Sequence, residues 1–274
     1  MNNKYKLICI DVDGTLYNDQ KIIPQENIKA IQEAAAKGIL IAITTGRMYH
    51  YGHLYGGMLG VETLTIASNG AFVKYQGQVL NHQSLSLEDM LFIREKIDRY
   101  GLFAHYNTWN ALLCRGDIGD GNGYLAANMK LPEDRRIEIV VTEDLEAEFR
   151  KREDEFLKAI VLSRGDHAAL KGLREEFRDH PRLTVVASSK DNIEIFRKDV
   201  SKARGIETLI RTLGIEKEQV MAIGDEENDL PMIRYAGLGV AMGNASREVK
   251  DAADYITETN NLAGVAKAIR KFCL

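Results

Sequence analysis

The sequence lacks what a disulfide framework, a zinc site or a membrane span would need. Its 274 residues hold three cysteines, Cys9, Cys114 and Cys273, odd in number, far apart and without CxxC spacing. They read as reduced, mostly buried thiols. The longest apolar runs, such as Gly38 to Ile43, fall far short of the roughly 18 residues that cross a bilayer. The first ten residues carry a short apolar stretch straight into acidic residues, not the basic, apolar, small-residue order of a secretory signal, and a cytoplasmic location is the expectation. Charge of one sign is also missing. The 36 Lys and Arg against 40 Asp and Glu leave a net charge of −4, with no global pull toward nucleic acid or an anionic membrane, although a local basic pocket stays compatible.

The chain does have ordinary globular composition, 45% hydrophobic and 28% charged, enough to bury a full core. Its length fits one large domain or two modest ones. Short β-rich runs at 7–12, 40–44, 63–67, 220–223, 238–241 and 255–257 alternate with stretches of helical period at 25–37, 203–213, 228–236, 246–252 and 262–272. That alternation predicts an α/β fold, a Rossmann-like doubly wound sheet that is mostly parallel. Residues 82–198 interrupt it with helices near 87–100 and 167–179 and strands near 102–106, 159–162, 183–186 and 193–196. The expected organisation is a core domain made of 1–81 and 199–274, and an inserted α/β domain over 82–198. Linkers near 81–86 and 197–201 would let the two open and close.

In such sheets ligands bind beyond the carboxyl ends of the strands. The first strand ends in Asp11-Val12-Asp13-Gly14-Thr15, where two carboxylates can converge and glycine permits a sharp turn. A polar turn is the plain alternative for this pentapeptide alone. The second ends in Thr44-Thr45-Gly46-Arg47 before a helix, a set of hydroxyl, backbone NH and guanidinium donors that suits phosphate, or else an ordinary N-cap. The third ends in Ser68-Asn69-Gly70, and a later one in Gly224-Asp225-Glu226-Glu227-Asn228-Asp229. Dipole compensation at a helix start accounts for Asp229 but not for Asp225.

Four carboxylates in one crevice, Asp11, Asp13, Asp225 and Asp229, repel unless a cation joins them. Hard oxygen donors without histidine or thiolate point to Mg²⁺. Lys202 could add the remaining positive charge, although an isolated lysine is ordinarily a surface residue. These parts suit phosphoryl transfer, with Asp11 attacking phosphorus to form an aspartyl phosphate and Asp13 moving protons.

The ordered motifs DVDGTL at 11–16, TTGR at 44–47, SNGA at 68–71, Lys202, GDEENDLPM at 224–232 and GVAMGNA at 239–245 resemble the haloacid dehalogenase-like hydrolases, specifically the Cof-type phosphatases with a class IIB cap. The resemblance covers nearly the whole chain. It implies that Asp11 is nucleophile and metal ligand, that Asp13 is acid/base and binds metal through its backbone carbonyl, and that Asp225 is the third protein ligand. Thr45, Gly46, Lys202, Asn228 and the Val12 backbone NH would contact phosphate, with Asp229, Arg47 and Asn69 in support. It also implies a β-hairpin flap over about Thr15 to Ile23. Two departures are Ala203, where the family commonly has Gly, and Ala263, where an acidic residue is common.

Substrate choice would fall to the inserted block, where His105, Tyr106, Trp109, Arg115 and Asp117, all near an expected hairpin, are candidates, weighed against the ordinary burial of aromatics. A limited pocket favours a small phosphorylated metabolite, such as a sugar phosphate or phosphorylated cofactor, over protein or nucleic acid; a monomer or weak dimer is compatible. The rivals are a phosphomutase using the same aspartates, a signalling receiver, and a binding protein without turnover. The inserted block and Asp13 speak against a receiver. Every motif residue is present, which speaks against lost turnover.

Overall fold

A computed structural model describes residues 4–116, 118 and 123–274. The chain divides into two units. The first comprises Met1–Arg47, Gly52–Asn81 and Ser201–Leu274, the second Met48–Tyr51 and His82–Val200.

The first unit is built on an eight-stranded sheet. Its strands are β1 (Leu7–Ile10), β2 (Leu40–Thr44), β3 (Leu64–Ala67), β4 (Phe72–Tyr75), β5 (Gln78–His82), β12 (Val220–Gly224), β13 (Leu238–Ala241) and β14 (Tyr255–Ile256), in the order β14-β13-β12-β1-β2-β3-β4-β5. Everything from β14 to β3 is parallel, and β4 pairs antiparallel to β3. β1 explains why its sequence is continuously apolar: it is central and covered on both sides. Ile8 and Ile10 enter one core with Ile31 and Ala34 of helix Gln25–Ala36 and Ile269 of helix Gly264–Phe272. Leu7 and Cys9 face the other core, with Ile206 and Leu209 of helix Lys202–Leu213 and Met232 of helix Leu230–Tyr235. Helix Lys202–Leu213 is bounded by a Ser201 hydroxyl that accepts from the Arg204 amide and by Gly214 at φ +65°, the expected start and stop chemistry.

The second unit holds a six-stranded sheet of β6 (Phe103–Asn107), β7 (Ala111–Cys114), β8 (Glu138–Val141), β9 (Lys158–Leu162), β10 (Leu183–Ser189) and β11 (Asn192–Arg197), ordered β10-β11-β9-β6-β7-β8. Ala104, Tyr106, Ala159, Val161, Ile193 and Ile195 point to one face and pack with Ile93, Phe149 and Leu173 of helices Leu87–Arg99, Leu145–Lys151 and His167–Glu176.

The α/β expectation and the parallel core hold. Strands β4, β5 and β8 were not foreseen, nor was helix Gly123–Asn128, whereas β7 pairs antiparallel to β6 in the hairpin expected near His105 to Arg115. The β4, β5 and β8 segments are four or five residues long and partly exposed, so they lack both a long apolar run and a clean alternation. The β-hairpin expected over Thr15 to Ile23 is corrected: no strand is assigned there. Instead the Asn18 side chain accepts from the Gln20 and Ile22 amides at 3.1 and 2.9 Å, while the Asn18 amide donates to the Ile22 carbonyl at 3.0 Å. The Asn18 side chain shares the closing of this loop with the backbone, where the Lys21 amide also donates to the Asn18 carbonyl at 2.9 Å, and no ladder of strand pairs extends from it. The three cysteines are buried. Among the described residues no helix is long and apolar enough to cross a membrane.

Candidate active site

β1 lies between β2 and β12, with Ile10 level with both Ile43 and Ile223. Chain order runs outward in both directions from this point, which opens a crevice beyond the strand ends. The turn that follows β1 enters the crevice and closes with Leu16 and Tyr17 amides donating to the Asp11 and Val12 carbonyls. Gly14 sits at φ +85°, and a Cβ on it would lie 2.1 Å from Asp225 Oδ2. Conformation and space therefore both require glycine. The next residue, Thr15, donates its hydroxyl to Asp225 Oδ1 at 2.6 Å.

Lys202 is fully buried and donates to Asp11 Oδ1 at 2.6 Å and to Asp229 Oδ1. Its helix can come this close because glycines meet at the contact: a Cβ on Gly205 would lie 2.4 Å from Ile66 Cγ2, and one on Gly70 would lie 2.2 Å from the Ser201 carbonyl oxygen. Asp229 Oδ2 in turn accepts from the Asp225 and Glu226 amides at 2.9 and 3.1 Å. Oxygen atoms of Asp11, Asp225 and Asp229 all lie within 4.8 Å of one another.

Asp13 takes a different partner. Arg47 donates to both its oxygens at 2.8 Å, and Lys21 Nζ reaches Oδ1 at 3.0 Å. Beside this, Arg47 donates its amide to Thr45 Oγ1 at 3.1 Å, the Asn69 amide donates to the Thr45 carbonyl, and Asn228 Nδ2 donates to Asn69 Oδ1 at 3.2 Å. Ser68 and Asn69 are both left-handed, at φ +49° and +56°; asparagine tolerates that region better than most residues.

Two electrostatic regimes result. Burial raises Asp11, and Asp229 raises it further against the pull of Lys202; burial, Asp11 and Asp229 raise Asp225. Burial alone would lower the Lys202 ammonium, but Asp11 and Asp229 outweigh it and hold the group above its ordinary value. For Asp13, burial acts upward and is overcome by the Arg47 fork and Lys21, which hold the carboxyl at about 2. Among the described residues the Asp11, Asp225 and Asp229 carboxylates thus face a single bonded ammonium, and full ionisation leaves them short of two positive charges. A hard divalent cation fits that deficit and that all-oxygen donor set.

The structure brings Asp11, Lys202, Asp225 and Asp229 into one connected group and seats Asp13 with Arg47 nearby in the same turn. The Val12 side chain is buried in the core, so only its backbone is available to a ligand. Sequence reasoning gave no role to Lys21, to Asn244 within the GVAMGNA run, or to Thr15 as a partner of Asp225. The contiguous Asp-Gly-Thr signalled the turn but not the partner 210 positions away.

In the second unit, the sheet face opposite helices Leu87–Arg99, Leu145–Lys151 and His167–Glu176 carries buried polar side chains beside apolar Leu112 and Ile160, and Tyr124 of helix Gly123–Asn128 packs edge-on to His105 there. Lys158 Nζ lies 2.6 Å from Glu194 Oε2, and His105 Nδ1 lies 2.9 Å from Asn107 Oδ1, all four residues buried. Burial holds the His105 imidazole down at about 4, hence neutral near pH 7. Tyr106 points the other way into the core, its ring 4.8 Å from Phe149. Trp109 packs edge-on to His50, and Arg115 is half exposed beside Asp98. Asp117 lies outside the described residues.

Residues 8–269 match the sequence profile described as haloacid dehalogenase-like hydrolase. A Bacillus subtilis protein named 5-amino-6-(5-phospho-D-ribitylamino)uracil phosphatase YcsE is 35% identical over 271 residues, spanning 98% of this chain and 96% of that one. A solved haloacid dehalogenase-like hydrolase from B. subtilis is 26% identical with a TM-score of 0.82, covering 97% of this chain and 99% of the other. The fold is also that of a solved HAD subclass IIB sugar phosphatase, 24% identical with a TM-score of 0.76, covering 97% and 98%.

Proposed function

Because this chain belongs to the haloacid dehalogenase-like hydrolase family and is a phosphatase, we propose that it hydrolyses a small phosphomonoester through an aspartyl phosphate on Asp11, with Mg²⁺ as cofactor. The observation that carries this reading is the buried Lys202, bonded at once to Asp11 and Asp229 inside a group of three carboxylates. A lysine so placed does not serve solubility. It fixes one carboxylate at the end of the central strand and leaves a charge deficit for a cation.

In the proposed mechanism Asp11 attacks phosphorus and the ester oxygen leaves. Thr45, Gly46, Asn228, the Val12 amide and Lys202 surround the phosphoryl oxygens with donors whose positions are set before reaction. Asp13 removes the proton from the hydrolytic water, which attacks phosphorus and frees Asp11. The ionised form that Arg47 and Lys21 hold suits that step; for an unactivated ester Asp13 would first take up a proton and pass it to the leaving oxygen, with the Arg47 fork turning toward the incoming phosphate while Lys21 stays in place. Asp11, Asp225 and the Asp13 carbonyl would hold Mg²⁺, with Asp229 behind them. When bound, the metal offsets repulsion between the carboxylates and a phosphate dianion.

The substrate is proposed to be a phosphorylated sugar or sugar alcohol, alone or attached to a polar ring, as in the compound for which the B. subtilis relative is named. Residues 82–198 would act as the cap that reads the part of the substrate beyond the phosphate. Chelation should lower phosphate release from p-nitrophenyl phosphate by about a hundredfold or more, with recovery on adding Mg²⁺. Mg²⁺ should also raise the Tm of the wild-type chain and do so less for Asp225→Asn. Full activity in EDTA would contradict the metal assignment.

A further inference from the structure

Between Tyr17 and Ile23, which pack on the core of the first unit, the loop tip 18–22 has little apolar reason to stay in place. Ile22 within it is 60% exposed. What seats it is a run of asparagine side chains from the other end of the chain. Asn244 Nδ2 donates to the Gly14 carbonyl at 2.8 Å and lies 3.4 Å from Asp225 Oδ2, while its Oδ1 accepts from the Asn260 amide at 2.9 Å. Asn260, 2% exposed, spends its side-chain amide on the Tyr17 carbonyl at 3.1 Å and Asp19 Oδ1 at 3.0 Å. Asn261 closes a two-bond pair with Asp19, donating to Oδ2 at 2.8 Å and accepting from the Asp19 amide at 3.1 Å.

Two residues beyond Asp19 stands Lys21, whose Nζ meets Asp13. At the other end of the same chain of bonds stands Asp225. We propose that Asn244, Asn260 and Asn261 are positioning residues forming a latch that holds loop 17–22 and the Asp225 carboxylate as one unit, so that Lys21 stays on Asp13.

Amides suit this role because each offers a donor and an acceptor with no charge of its own. Lysine or arginine in the same places would compete for Asp225 and Asp19, and a carboxylate would add to a crevice already short of positive charge. The close passage of the two loops supports a fixed geometry. A Cβ on Gly243 would lie 2.8 Å from the Thr259 nitrogen, and one on Gly264 would lie 2.0 Å from the Glu258 carbonyl oxygen. The latch accounts for the asparagine in the GVAMGNA run, which touches neither Asp11 nor Lys202 in the bonds described above.

The proposal rests on the reading of Asp13 and Asp225 given above, and its test separates the two. Asn261→Asp removes a donor and sets a carboxylate against Asp19. In the full chain, kcat for p-nitrophenyl phosphate should fall about tenfold with KM within about twofold of wild type. Amide hydrogen exchange across 18–22, measured in metal-free protein, should quicken by about tenfold or more. Adding Asp19→Asn restores an amide–carboxylate pair in the reverse sense and should return both readouts to within about twofold of wild type. If Asn261→Asp does not fold, Asn261→Ala deletes the tie without adding charge and is expected to show the same two changes. A fall in kcat without faster exchange, faster exchange without a fall in kcat, or failure of the paired variant to recover would each overturn the latch. Failure of the reading beneath it shows elsewhere, as activity retained in Asp11→Asn.

Discussion

Replacing Asp11 with Asn should lower kcat/KM for p-nitrophenyl phosphate by about ten-thousandfold or more while leaving the fold intact. The substitution keeps the shape of the side chain and removes its capacity to attack phosphorus. Structural damage should be small because the position is already in electrostatic conflict. Burial and Asp229 work against the Asp11 charge, and Lys202 keeps Asp229 as a partner when Asp11 is gone. The thermal midpoint should stay within a few degrees of wild type. Steady-state kinetics beside a melting curve check both halves. Large residual activity in a folded variant would remove Asp11 from the nucleophile's role, whereas loss of activity with loss of fold would say nothing about chemistry and would call for Asp11→Ser as the second variant.

Lys202→Met should lose both activity and stability. The thioether fills much of the volume of the lysine stem, so the change isolates the ammonium. Without it, Asp11, Asp225 and Asp229 remain buried together with no cation bonded to them. Removing one member of a buried ion pair costs about 3–5 kcal/mol, and a protein of this size loses roughly 2–4 °C of Tm per kcal/mol. A fall of about 10 °C in EDTA at pH 7.5 is expected on those two figures, together with a drop in kcat of about a hundredfold or more.

The loss should shrink as pH falls. Burial and mutual repulsion raise Asp11 and Asp225 in the folded state, so the native chain binds more protons than the unfolded chain between the unfolded and folded values. Stability contributed by these groups therefore falls as pH rises through their folded range and returns on acidification toward their unfolded range. Melting curves in EDTA from pH 5 to pH 8 test the sign. A Lys202→Met deficit that grew on acidification would contradict the account of the cluster.

Much of the core was legible because the sequence repeats one physical signal. A run such as Leu7 to Ile10, apolar on both faces and followed at once by Asp11, announces a buried parallel strand whose end meets solvent or ligand. The same reading located β2, β3, β12 and β13. It failed for β8 of the second unit, four residues long and largely exposed; β7, four buried residues, was expected only as an arm of a hairpin without bounds, being too short for its own pattern to set them. Helix Tyr49–Leu59 was expected only at its start, after Arg47.

At the site, residue identity was easier to foresee than partnership. Asp11, Asp225, Asp229 and Lys202 could be named from strand ends and motif order, but Lys202 joins Asp11 across 191 positions, a distance that no local pattern spans. Asp13 shows the same limit. Its spacing from Asp11 suggested a shared pool of carboxylates around a cation, whereas its side chain is committed to Arg47 and Lys21. The loop expected as a hairpin was misread because its closure depends on the Asn18 side chain, and its seat on Asn260 and Asn261 more than 240 residues away.

The central claim is that phosphate leaves in two displacements, first to Asp11 and then to water. The stereochemical course at phosphorus tests it most directly, using a phosphorothioate monoester made chiral with oxygen isotopes and hydrolysed by the wild-type enzyme in isotopically labelled water. Two in-line displacements predict net retention of configuration, and net inversion, the signature of one direct attack by water, would contradict the account.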